Sequence, residues 1–177
     1  MAKVFISYRR ADTSAYAGRL YDHLAAHFGA DHVFMDVDAI EPGQEFSAVI
    51  AQTLDRCDTL VALIGPQWLD QQALGGGRRL DEAADLVRRE IAMALQRERR
   101  VIPVLVGGAS LPAEAQLPEE LRPLLRRHGL EIRDGAAFKR DLAPLIAAIE
   151  RPWRPVGAEP QVEPAAAAAV NAALQPL

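Results

Sequence analysis

The stretch that decides the fold covers residues 4–24, VFISYRRADTSAYAGRLYDHL. It begins with a short apolar run and continues with apolar residues at helical spacing. This pattern predicts a strand over residues 3–8 and a helix over residues 15–28, with Ser14 as the helix N-cap. Between the two lies Ser7-Tyr8-Arg9-Arg10, a polar and strongly basic connection where a plain turn would suffice.

Further apolar runs alternate with helical patterns along the chain. They predict further strands at residues 33–35, 59–64, 101–106 and 130–132. They predict further helices at residues 45–56 and 138–149, and one that begins after a cap at Asp81 and ends at about residue 97. The run over residues 59–64 is apolar throughout, which is typical of a strand buried on both faces. The alternation predicts an α/β fold, a flavodoxin-like doubly wound parallel sheet of five strands in the order 2-1-3-4-5.

Composition limits the class of protein. The 177 residues are 50% hydrophobic and 25% charged, with a net charge of −4, which does not indicate a direct nucleic-acid partner. We expect one domain over residues 1–150, and a Pro/Ala-rich linker or tail over 151–177. No run reaches the roughly 20 apolar residues of a membrane span, so we expect no membrane partner. The single cysteine, Cys57, predicts a buried thiol in a cytoplasmic protein.

The predicted strand order places a crevice between the first and third strands, where ligands bind in such sheets. Ser7, Tyr8, Arg9 and Arg10 follow the first strand, and Trp68 follows the third. Guanidinium groups bind phosphate through paired donors, and an aromatic face stacks on a flat heterocycle. These residues therefore fit a nucleotide. The alternative is that the arginines are solvated and that Trp68 only covers a loop.

The helix after the third strand carries a carboxylate that faces partly inward. At about 100° per residue, Val87 and Ile91 form its buried stripe, and Glu90 lies about 60° from Val87, at the edge of that stripe. The alternative is a boundary glutamate paired with an arginine. Gly65 stands where a phosphate-accepting receiver would have an aspartate. His23 and His27 are an i, i+4 pair without a third ligand, which indicates surface residues rather than a metal site. No Gly-rich phosphate loop follows the first strand, and the chain has no GxSxG or HExxH motif.

Four stretches together resemble the Toll/interleukin-1 receptor (TIR) domain in its bacterial form. They are VFISYRRAD, VFMDVDAIEPGQEF, LIGPQWL followed by RRLDEAADLVRREIAMAL, and RRVIPVLVGGASLP. Their order matches the family, and the resemblance covers about residues 2–150. It implies the same fold as the strand and helix pattern.

The resemblance also implies an activity and its residues. Many bacterial TIR domains cleave NAD+ at the nicotinamide–ribose bond, giving ADP-ribose or a cyclic isomer, often in antiphage defence. NAD+ is then the substrate, with no cofactor and no metal, and Glu90 matches the catalytic glutamate. The implied substrate-binding residues are Ser7, Tyr8, Arg9, Arg10, Asp36, Phe46, Trp68 and Leu86. Leu86 departs from the family, which has an aromatic residue at this position.

Other TIR domains only recruit further TIR domains, so a non-enzymatic adaptor is the main alternative. The resemblance implies self-association through the loop that contains Ile40, Pro42 and Gly43, and a sensor or effector domain in the same or another chain. A third hypothesis is an enzyme like the nucleoside deoxyribosyltransferases, which also use a glutamate. The SYRRAD and EPGQEF motifs argue against it.

Overall fold

A five-stranded parallel sheet forms the centre of the molecule. The computed structural model describes residues 2–35 and 46–153, without the side chains of Phe46 and Ser47. The strands are β1 (Val4–Ser7), β2 (Val33–Met35), β3 (Thr59–Ile64), β4 (Arg100–Leu105) and β5 (Leu130–Glu131). They pair in the order β2-β1-β3-β4-β5, and the pairings are parallel. The predicted fold class and strand order are confirmed.

Helices cover both faces of the sheet. They are α1 (Arg10–Phe28), α2 (Phe46–Arg56), α3 (Leu86–Gln96) and α4 (Phe138–Glu150). One buried cluster joins alternate strand residues such as Val4 and Ile6 to α1 and α4. The other joins Phe5 and the alternate residues of β3 to α2 and α3. All six residues of β3 are buried, as its apolar run predicts. Because strand side chains alternate between faces, Ser7 shares the α2/α3 face with Phe5.

The first helix begins earlier than predicted. It starts at Arg10, because the carbonyl of Arg9 accepts hydrogen bonds from the backbone N–H groups of Asp12 (3.0 Å) and Thr13 (2.8 Å). Thr13 has non-helical angles (φ −131°, ψ 19°), which mark a kink just before Ser14. The predicted cap at Ser14 is therefore wrong: Arg9 is the N-cap and Arg10 is the first helical residue.

The third helix also begins at a different aspartate. Asp81 ends a short 3-10 turn, Arg79–Asp81, and its carboxylate pairs with Arg78 at 2.7 Å. The N-cap of α3 is Asp85, whose side chain accepts a hydrogen bond from the backbone N–H of Arg88 at 3.1 Å. The prediction of Asp81 as the cap is wrong, and α3 is shorter than its sequence pattern indicates.

Several predictions fall on residues that the structure does not describe. They are Asp36, the loop residues Ile40, Pro42 and Gly43, and the tail from residue 154 onward. Cys57, which is described, is 1% exposed and confirms the prediction of a buried thiol. Across residues 2–35 and 46–153, no helix is both long and apolar enough to cross a membrane.

Candidate functional site

A buried serine–glutamate pair lies at the carboxyl edge of the sheet. The hydroxyl of Ser7, the last residue of β1, donates a hydrogen bond of 2.6 Å to Oε2 of Glu90 on α3. Ser7 is 1% exposed and Glu90 is 6% exposed. Ser7 pairs in register with Ala62 of β3, so two small side chains lie beside each other beneath α3. The sequence predicts Glu90 at the edge of the buried stripe of α3, and in the structure the side chain lies deeper in the interior than that.

A second buried interaction fixes the start of α3 against the end of β1. Arg9 donates two hydrogen bonds of 2.9 Å to the two carboxylate oxygens of Asp85, and a third of 2.9 Å to the carbonyl of Trp68. The side chains of Arg9 and Asp85 are 3% and 1% exposed. Bidentate pairs of this kind hold both partners in one orientation. We call this arrangement the Arg9–Asp85 clamp, and it holds the helix that carries Glu90.

Arg9 and Trp68 therefore lie differently from the sequence expectation. Arg9 was expected to face a phosphate, but its donors serve Asp85 and the Trp68 carbonyl in the interior. Trp68 was expected to offer its ring to a base, but the residue is 1% exposed and packs in the α2/α3 cluster. Both residues therefore have an interior position: Arg9 pairs with Asp85, and the Trp68 ring packs against α2 and α3.

The other predicted substrate-binding residues surround the pair in different ways. Tyr8 is half-buried and packs against the α1/α4 cluster, on the face of the sheet opposite Ser7. Arg10 is exposed at the start of α1, and Leu86 is half-buried against the α2/α3 cluster. Asp36 and the side chain of Phe46 lie outside the described part of the chain. Contact of these residues with NAD+ stays a prediction.

Sequence reasoning missed two features of this edge. One is Asp85, whose position directly before the apolar stripe of α3 was a signal for a helix cap. The other is the close packing of the loop after β3 on the start of α1. The backbone N–H of Gln67 donates to Oδ1 of Asp12 at 3.1 Å. A Cβ on Gly65 would lie 2.3 Å from the Thr13 methyl, so any other residue would force Thr13 to shift.

The site can stabilise positive charge. A carboxylate fixed in a buried environment interacts more strongly with a developing cation than it would in water. The Ser7 hydroxyl holds one oxygen of Glu90 in place, so little reorganisation is needed when charge develops. Within the described residues, no group of three or more His, Cys, Asp or Glu side chains is arranged to hold a metal ion.

Comparison with known proteins places the chain in a family. The model of the TIR domain matches residues 4–146, which include both members of the serine–glutamate pair and the clamp. The chain belongs to the TIR domain family. The TIR domain of the activated Roq1 resistosome has a TM-score of 0.59 at 15% identity, covering 84% of this chain and 99% of that one. A TIR-STING receptor from C. gigas has a TM-score of 0.56 at 22% identity, and the match covers 87% of this chain and 41% of the receptor chain.

Among curated proteins, the TIR chain is similar to the NAD(+) hydrolase sarm1 of Drosophila melanogaster. The two are 29% identical over 127 residues, which make up 72% of this chain and 9% of that protein. The chain thus spans only about a tenth of the length of this relative. The structural likenesses agree with the five-stranded parallel sheet in the order β2-β1-β3-β4-β5.

Proposed function

We propose that this TIR domain is an NAD+ glycohydrolase, which breaks the nicotinamide–ribose bond and releases nicotinamide plus ADP-ribose or a cyclic isomer. The observation that carries the proposal is the buried Glu90 carboxylate, held by Ser7 at the edge of the sheet where ligands bind. The similarity to a protein named as an NAD(+) hydrolase supports it.

The chemistry matches the site. Cleavage moves the electrons of the C–N bond to nicotinamide, which leaves neutral, and develops oxocarbenium character on the ribose. The Glu90 carboxylate stabilises that positive charge or holds the ribose hydroxyls. Water then attacks the ribose carbon and releases a proton to solvent to give ADP-ribose, or a nitrogen of the adenine closes a ring. In this proposal Glu90 is the catalytic residue, and NAD+ is a substrate rather than a cofactor.

The remaining residues divide into two roles in the proposal. Arg10, exposed beside the site, contributes a phosphate contact, and Tyr8, Asp36, Phe46 and Leu86 belong to the surrounding substrate site. Ser7 positions Glu90 directly. Arg9 and Trp68 act from the interior: the Arg9–Asp85 clamp sets the place of α3, and the Trp68 carbonyl accepts one of its hydrogen bonds.

The wider setting is also proposed. Self-association of TIR domains, involving the loop with Ile40, Pro42 and Gly43, activates the enzyme in the cytoplasm. A sensor or effector domain in the same or another chain triggers it, in bacterial antiphage signalling. These proposals rest on the resemblance of the motifs to bacterial TIR domains.

A second candidate function is a non-enzymatic TIR–TIR adaptor, and the residue at which this chain departs from the well-studied enzymes is Leu86. It stands one turn before Glu90, where the resemblance calls for an aromatic residue. An adaptor keeps the fold and the clamp for stability alone. In that case the Ser7–Glu90 pair is only a satisfied buried contact.

Base release from two substrates separates the candidates. Concentrated protein is incubated with NAD+ and, separately, with a deoxynucleoside, and free base is measured by chromatography. We expect the protein to release nicotinamide from NAD+ and no base from the deoxynucleoside. Nicotinamide release should fall at least tenfold in Ser7→Ala, because the hydrogen bond to Glu90 is lost. Ser110→Ala, at an exposed position, is the control and should keep the wild-type rate. Self-association without any nicotinamide release identifies an adaptor, and base release from the deoxynucleoside identifies a deoxyribosyltransferase-like enzyme.

A further inference from the structure

A concave surface lies at the opposite edge of the sheet from Glu90. It is a pocket of about 540 Å³ beside Trp153, at the amino end of β4. We call it the Trp153 pocket. Its polar and aromatic lining consists of Arg100, Arg126, Arg127, His128, Arg151 and Trp153. It shares none of these residues with the Ser7–Glu90 pair or with the clamp.

The short last strand explains why the pocket exists. β5 pairs only with Val104 and Leu105, so the first residues of β4 have no strand beside them on that side within the described chain. The C-terminal half of α4 forms one wall, and residues 126–128, at the end of the 3-10 segment Glu119–Arg126, form another. The pocket is thus bounded on two sides by α4 and by the end of the 3-10 segment.

The charge of the pocket is of one sign. Its lining holds four arginines and one histidine, and no carboxylate among the described residues. The adjoining cavity of about 750 Å³ shares Arg100, Arg151 and Trp153, but its lining also contains the carboxylates of Asp58, Glu98 and Glu150. Because the whole chain carries a net charge of −4, this concentration of positive charge is local rather than general.

The cationic groups are held together against their mutual repulsion. Arg100 is 9% exposed, and its guanidinium donates to the carbonyl of Ala148 rather than to a carboxylate. Burial, followed by the charge of Arg151, lowers the pKa of Arg100, and the charge of Asp58 opposes this shift in part. Guanidinium groups gathered in this way repel one another, and a bound anion relieves that repulsion.

The pocket also offers an aromatic ring and an apolar wall. The guanidinium carbons of Arg100 and Arg127 lie 5.1 and 5.6 Å from the centre of the Trp153 ring. The indole N–H of Trp153 donates to the carbonyl of Glu98 at 2.8 Å, which fixes the orientation of the ring. Leu130 and Pro144 add apolar surface. A ligand that combines phosphate with a flat ring matches both sets of groups.

We infer that the Trp153 pocket binds a small organic phosphate of the mononucleotide class, at a site separate from the Ser7–Glu90 edge. The volume lies in the range of small-molecule sites, which are typically about 300–1,000 Å³. A concave pocket of this size suits one nucleotide better than an extended nucleic-acid strand, which requires a groove that follows its backbone. Phosphate pairs with the arginines, and the base lies against the indole and the apolar wall.

The two indole signals of an NMR spectrum test this site directly. The chain has two tryptophans, Trp68 and Trp153, and Trp153→Phe assigns their N–H resonances. Titration of the full chain with AMP is expected to shift the Trp153 signal in a saturable manner. Adenosine lacks phosphate and is expected to cause no shift. Inorganic phosphate and pyrophosphate are expected to shift the signal with weaker affinity, because they do not contact the ring or the apolar wall.

Charge variants supply the matched comparison. Arg127→Gln and Arg151→Gln, at partly exposed or exposed positions, are each expected to weaken AMP binding at least tenfold by calorimetry. Arg140→Gln removes an equal charge from an exposed position outside the pocket and is expected to leave the affinity unchanged. The proposal is overturned if millimolar AMP leaves the Trp153 signal in place. It is also overturned if Arg140→Gln weakens binding as much as the pocket variants, or if a single-stranded oligonucleotide binds and AMP does not.

Discussion

Replacing Asp85 with asparagine removes one charge from the clamp and leaves the shape of the side chain almost unchanged. Arg9 then keeps a buried positive charge without its carboxylate partner. Removing one partner of a buried ion pair typically costs about 3–5 kcal/mol. Asparagine still caps a helix well, so the capping contribution is retained. We therefore expect Asp85→Asn to lower the free energy of unfolding by about 3 kcal/mol.

The assay is urea unfolding followed by circular dichroism, supported by thermal melts. For a chain of this size, about 3 kcal/mol corresponds to a decrease of about 6–12 °C in Tm. Asp81→Asn is the matched control, because its ion pair with Arg78 is on the surface and its side chain is 52% exposed. Exposed pairs contribute less than about 1 kcal/mol, so this control should stay close to wild type.

A double-mutant cycle isolates the pair itself. Arg9→Met alone leaves the Asp85 carboxylate buried, whereas Arg9→Met with Asp85→Asn leaves neither charge. We expect the double variant to lose less stability than the sum of the single variants, by about 1–3 kcal/mol. The clamp is not a coupled buried pair if each single variant has a free energy of unfolding within about 1 kcal/mol of wild type. The same conclusion follows if the effects of the two single variants add to that of the double variant within about 0.5 kcal/mol.

Three further outcomes are expected. Gly65→Ala should destabilise the fold by about 1–3 kcal/mol in urea unfolding, since its Cβ meets Thr13. Gly18→Ala, at an open helical position, should be neutral or stabilising, and equal effects would contradict the packing argument. Burial raises the pKa of the Cys57 thiol to about 12, so iodoacetamide at pH 8 should modify it only after unfolding; rapid modification of the native protein would contradict this. The specific activity of NAD+ cleavage should rise with protein concentration, and it should be lower in Ile40→Asp than in wild type. A specific activity that does not depend on protein concentration would remove assembly from the proposal.

Much of the fold was predictable, because burial leaves a regular trace in the sequence. The continuous apolar run of β3 and the alternation of strands with helices predicted a parallel α/β sheet, and five such strands suited the order that the structure has. The inward turn of Glu90 was also predictable, since it follows from the period of the α3 stripe. Its partner was not assigned, because contact between Ser7 and Glu90 joins residues 83 positions apart.

The parts that were missed depend on contacts between distant segments. Asp81 and Asp85 are both plausible caps by local pattern, and the choice between them involves Arg9, which pairs with Asp85 from 76 positions away. Arg9 and Arg10 are the same residue type in adjacent positions, yet one is buried and the other exposed. Local sequence carries no signal that separates them, since the acceptors of Arg9 lie after β3 and at the start of α3.

Nicotinamide release by Glu90→Gln is the most direct test of the central claim, that the buried carboxylate paired with Ser7 cleaves NAD+. Glutamine keeps the size of the side chain and removes the negative charge, and Glu114→Gln serves as an exposed control. With equal protein concentrations and unchanged circular dichroism spectra, wild type and Glu114→Gln are expected to release nicotinamide at the same rate. Glu90→Gln is expected to release it at least a hundredfold more slowly. Turnover at the wild-type rate by a folded Glu90→Gln protein would contradict the account.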